Sequence, residues 1–74
     1  MNKFDIINKL QNVMVLTSKT TDAFIDINKV LIAEAENNPN NVDINTMQTI
    51  TNLATESREF TQKILDFTNK LLLS

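Results

Sequence analysis

One break divides this chain. The run Asn37-Asn38-Pro39-Asn40-Asn41 contains its single proline, which lacks an amide hydrogen and disfavours helix in the residue before it. On either side of the run the apolar residues recur at alternating steps of four and three. A strand would alternate every second residue, so the spacing predicts two helices. The first, about residues 3–37, carries Ile6, Leu10, Val13, Thr17, Thr20, Phe24, Ile27 and Leu31. The second, about 44–73, carries Ile50, Leu53, Ser57, Phe60, Ile64, Phe67 and Leu71.

The helix ends are marked as well. Asn2 and Asp43 are N-cap residues, and Met1 with Ile6 and Val42 with Met47 have the five-residue spacing of a hydrophobic staple. The chain has no Gly, so Asn37 takes the C-cap expectation, since Asn tolerates the left-handed conformation in which helices commonly end. The acid–Lys pairs Asp5–Lys9, Glu59–Lys63 and Asp66–Lys70 add helical spacing on polar positions. A short connection at 38–43 implies antiparallel neighbours. The expected fold class is all-α: one helical-hairpin domain over residues 1–74, completed by association into a four-helix bundle or larger helical assembly.

Side-chain size suggests a register in which paired residue numbers sum to about 81. Phe24 then faces Ser57, Thr20 faces Phe60, Thr17 faces Ile64, Val13 faces Phe67, Leu31 faces Ile50, Ile27 faces Leu53 and Leu10 faces Leu71. Large residues meet smaller ones, as native packing density asks. On this reading Phe24, Phe60 and Phe67 are core, and Thr17, Thr20 and Ser57 bond back to carbonyls one turn earlier.

Both helices carry more apolar surface than one stripe. Phe4, Ile25 and Ile32 form a second line on helix 1, with Leu16, Ala23 and Val30 on its other flank, and Leu65, Leu72 and Leu73 match them on helix 2. A simple surface helix needs a stripe of roughly 100°. A hairpin of 74 residues without Cys has no disulfide to support it, and chains this small need staples or partners. The candidate interface is therefore Phe4, Ile25, Val30, Ile32, Leu65 and Leu72. Its expected occupant is a second copy, with a dimer favoured, or a partner protein.

Composition excludes much chemistry. Without Gly, phosphate-cradling loops and nucleophile elbows have no backbone to use. Without His or Cys, the usual zinc, haem and His-assisted sites lack their ligands. No catalytic, cofactor-binding or metal residues are assigned, and no enzyme activity or small-molecule substrate is expected. Asp22 with Asp26, and Glu56 with Glu59, read as solvated faces. Asn41-x-Asp43-x-Asn45 has calcium-loop spacing, but Thr46 and Asn52 stand where such a loop wants Gly and Glu. Arg58, the single Arg, is flanked by Glu56 and Glu59; Arg is enriched at interface hot spots, but an intramolecular surface pair is the expectation here.

A net charge of −2 with scattered Lys gives no nucleic-acid footprint. No apolar run exceeds four residues, whereas a membrane span needs about 20. Asp5 and Asn8 interrupt what would be the apolar part of a signal peptide. Cytoplasmic residence is expected, with export by a dedicated machine left open.

The functional expectation is a non-enzymatic helical interaction or assembly subunit; the alternative is a small phage- or plasmid-type regulator that masks a partner's surface. The hairpin broken at Asn38-Pro39 and closing on Leu71-Leu72-Leu73-Ser74 also resembles the needle and inner-rod subunits of type III secretion, which would imply an exported, polymerising subunit. It departs from them in having no second Pro in the turn and no Tyr in helix 2.

Overall fold

The computed structural model describes residues 2–74. Helix α1 runs Lys3–Asn37, a 3-10 turn takes Pro39–Asn41, and helix α2 runs Ile44–Leu73. The two helices pack antiparallel along their length, in an object measuring 55 × 15 × 14 Å.

Local chemistry accounts for the ends. The Asn2 side chain accepts a hydrogen bond from the Asp5 amide at 3.0 Å, and the Asp43 side chain accepts from the Asn45 amide at 2.9 Å. Each satisfies one of the donors that a helix start leaves free. Val42 and Met47 are both half-buried, as a staple requires. The Met1–Ile6 staple lies outside the described residues.

The C-cap differs from expectation. Helix α1 runs through Asn37, and Asn38 caps it at φ −140°, its amide donating to the Glu34 carbonyl at 2.7 Å. The reason is Pro39, which pushes its predecessor toward extended backbone. Pro39 then opens the 3-10 turn, which the Asn41 amide closes onto the Asn38 carbonyl at 3.0 Å. Among the described residues none has positive φ. The turn is therefore made without the left-handed backbone that Gly would favour.

The seam between the helices is also not the expected stripe. Along α1 the residues turned inward are Ile7, Leu10, Met14, Thr17, Thr21, Phe24, Asn28 and Leu31; along α2 they are Met47, Ile50, Ala54, Ser57, Thr61, Ile64, Thr68 and Leu71. This line keeps the four–three alternation. It shares every second residue with the predicted stripe and exchanges the others. Ile6, Val13, Thr20 and Ile27 give way to Ile7, Met14, Thr21 and Asn28; Leu53, Phe60 and Phe67 give way to Ala54, Thr61 and Thr68. The most buried side chain of the seam is Thr68, 3% exposed, while its neighbour Phe67 is 50% exposed.

Register shifts with the seam. Thr21 bonds Ser57 and Thr17 bonds Thr61 across the helices, so paired numbers sum to 78 instead of 81. Phe24 thereby stands opposite Ala54 instead of Ser57, and Leu10 opposite Thr68 instead of Leu71. Large still meets small. The shift of three residues is nearly one helical turn.

The middle of the seam is held by hydroxyls. Thr21 Oγ1 lies 2.8 Å from Ser57 Oγ, which donates to the Thr17 carbonyl across the seam at 3.1 Å. Thr61 Oγ1 bonds Thr17 Oγ1. Thr17 also reaches the Met14 carbonyl at 3.1 Å, and Thr20 bonds back to the Leu16 carbonyl at 2.9 Å as expected. Ser57 bonds across the hairpin and not back along its own helix. Small side chains with their own hydrogen-bond partners let the backbones approach closely without leaving buried polar atoms unpaired.

Candidate functional site

Two helices packed side by side have two faces, one on each flank of the seam. A residue one step past the seam line turns to one flank and a residue one step before it turns to the other.

The first flank carries Ile6, Val13, Thr20 and Ile27 of α1 beside Thr46, Leu53, Phe60 and Phe67 of α2, with Leu16, Ala23 and Val30 extending it on the outer side of α1. Phe60 is 54% and Phe67 50% exposed. The pairs Val13–Phe67, Thr20–Phe60 and Ile27–Leu53 do lie level, within two residues along the helix axes. They sit side by side on this flank and not across the seam. Phe60 and Phe67 are therefore surface, which corrects their assignment to the core; Phe24 alone of the three is half-buried in the seam. From residue 6 to residue 67 no charged side chain interrupts the inner part of this face.

The opposite flank holds the second line. Ile25, Ile32, Thr51, Asn28, Ala54 and Arg58 line one open groove, and Ile25, Leu65, Arg58, Met14, Thr21 and Thr61 line another that joins it. Of the six residues expected at an interface, Ile25, Ile32 and Leu65 are brought together here. Phe4 and Leu72 lie on the same flank near the free ends, where Lys3 Nζ donates to the Ser74 carbonyl at 2.7 Å and stands 5.6 Å from the Phe4 ring. Val30 does not join them: it is 69% exposed on the Phe60–Phe67 side.

This second flank is polar in places. Lys19, Asp22 and Gln62 edge one groove and Lys29 the other. Arg58, common to both, forms no ion pair within 4 Å among the described residues; the one such pair is Lys29–Asp26 at 3.9 Å. Glu56 and Glu59 lie two steps and one step from Arg58 in sequence, which turns them away from it on a helix. The expected acid–Lys pairs also stay open, and Asp66 accepts from Gln62 Nε2 at 3.0 Å. Exposed pairs of long side chains gain little by closing. Asn28 Nδ2 donates to Thr51 Oγ1 at 2.8 Å, but Asn28 Oδ1 is buried without a partner.

Asp22, Asp26, Glu56 and Glu59 are all exposed. Among the described residues no three acidic side chains gather as metal ligands would, and no helix is long and apolar enough to cross a membrane. Asp43 serves as a helix cap. Sequence reasoning found the grooved flank through its second line. It missed the other flank as surface, although the signal was present: Ala54, Thr61 and Thr68 form a line of small residues immediately beside Leu53, Phe60 and Phe67. Comparison with protein-family models, curated proteins and solved structures found no match.

Proposed function

We propose that this chain is a non-enzymatic helical assembly subunit, which associates with itself or with a partner protein by covering an apolar helix face. The observation that carries this reading is the exposed surface. The hairpin exposes 5567 Å², where a compact globular chain of 8.4 kDa would expose about 4600 Å². Its radius of gyration is 16.9 Å, against about 11 Å for a compact domain of this length. Among the described residues only Ile7, Ala54 and Ile64 are buried apolar residues, and no side chain is fully enclosed. So little interior supplies little hydrophobic stabilisation against the entropy of ordering two long helices. Another layer of helix would supply the rest.

The Arg58 grooves favour a second reading, a regulator that masks a partner's surface. An unpaired Arg between Ile25 and Leu65 is the composition expected of an interface anchor.

Size-exclusion chromatography with light scattering, run across protein concentration, tests the proposal. It expects a mass of two chains or more. A folded, monodisperse species of 8.4 kDa at every concentration contradicts it.

A further inference from the structure

We infer that the Phe60–Phe67 flank, and not the grooved flank, is the self-association face, and that a second copy covers it with both turns at the same end of a four-helix bundle. This rests on the assembly reading above and names the face, the occupant and the orientation.

Two observations select the face, charge and side-chain size, and the exposed area gives the extent of cover. Ile6, Val13, Ile27, Leu53, Phe60 and Phe67 form an inner line without charge along the rod, with Lys63, Asp66 and Lys70 at its outer edge around Phe67, whereas Arg58 stands in the middle of the other flank, edged by Lys19 and Lys29. Charge is depleted at the centre of self-association interfaces. The surface in excess of a compact chain is about 1000 Å², close to the roughly 800 Å² per partner that a stable interface buries. The seam, meanwhile, spends small residues on the hairpin itself, leaving the large apolar line for a second layer.

The orientation follows from size. A closed pair related by a two-fold axis presents one patch to itself. If the axis runs along the rod, α1 of one copy lies against α2 of the other at the same height. Phe60 then rests on the second copy's Thr20, Phe67 on its Val13 and Leu53 on its Ile27. If the axis crosses the rod at mid-height, Phe60 crowds Phe60 of the second copy, and Thr20 faces Thr20 across a gap. Close packing favours the first arrangement. Both arrangements set every helix antiparallel to its neighbours, so the helix dipoles are satisfied in either and side-chain size makes the choice.

The test has two arms, each read on a chain first shown by sedimentation to self-associate; a monomeric parent chain would contradict the assembly reading itself. In the first arm, Phe60→Ser with Phe67→Ser is compared with Ile25→Ser with Leu65→Ser. The Phe pair is expected to weaken association at least 100-fold, or to abolish folding at concentrations where the parent is a folded dimer, while the Ile25/Leu65 pair shifts it less than 10-fold. Equal loss in both, or greater loss in the Ile25/Leu65 pair, overturns the choice of face. In the second arm, Asn40→Cys places a unique thiol in the turn of a chain without Cys, with both faces intact. Spin labels there should lie within two to three helix diameters, about 20–30 Å. Labels separated by most of the 55 Å rod overturn the orientation.

Discussion

Replacing Thr21 and Ser57 with Cys turns the observed register into a covalent measurement. The two side-chain oxygens lie 2.8 Å apart, so sulfurs on the same Cβ atoms come within reach of an S–S bond. The bond would close a loop spanning 36 residues, for which loop-closure entropy gives about 4 kcal/mol of stabilisation. Losing the bonds of both hydroxyls, at about 1 kcal/mol each, costs about 2 kcal/mol. The net gain of about 2 kcal/mol corresponds to a melting temperature higher by about 8–16 °C in a chain of this size. The assay is thermal unfolding by circular dichroism with and without reductant. A non-reducing gel confirms that the bond lies within one chain, and Phe24→Cys with Ser57→Cys serves as the comparison, because it would be the facing pair at a sum of 81. If that pair oxidises faster and stabilises more than the Thr21/Ser57 pair, the register argued from the hydroxyl cluster is wrong.

Other expectations follow from the seam. Ala54→Leu, opposite Phe24, should destabilise by about 1–3 kcal/mol through overpacking, measured by urea unfolding; a neutral result would mean that the seam is looser than described. Ile64→Ala removes one of the three buried apolar side chains among the described residues and should cost about 2–4 kcal/mol, visible as lost helicity at 25 °C. Asn28→Leu replaces a buried acceptor that has no partner and should raise the melting temperature, since leaving such a group unpaired costs about 1–3 kcal/mol; a lower melting temperature would show that the acceptor is satisfied. Asp43→Ala should cost about 1 kcal/mol by uncapping α2, measured in the same melts.

The helix boundaries were legible because they are written locally. Asn2, Asp43 and Pro39 act on backbone groups within one turn, and both helices begin and end where those residues put them. The seam was half legible. Leu10, Thr17, Phe24, Leu31, Ile50, Ser57, Ile64 and Leu71 lie on both the predicted and the observed line. The other half depended on a choice between neighbours, Phe60 or Thr61, Phe67 or Thr68, which periodicity alone leaves open. Choosing the larger residue presumes that a hairpin keeps its best apolar side chains for itself. In a bundle of two layers both lines are interior, and the small line suits close approach within a layer while the large line suits packing between layers. Arg58 was misread for a simpler reason. Adjacent sequence suggested Glu56 and Glu59 as partners, but adjacency on a helix points side chains apart.

The most direct test of the central claim, that these helices need a second layer over the Phe60–Phe67 face, is the dependence of the melting temperature on protein concentration. If folding and association are coupled, mass action requires the melting temperature to rise with concentration, and helicity should fall on dilution together with the loss of the larger species. A melting temperature that stays constant over a thousandfold range of concentration would mean that the hairpin stands alone, and would contradict the account.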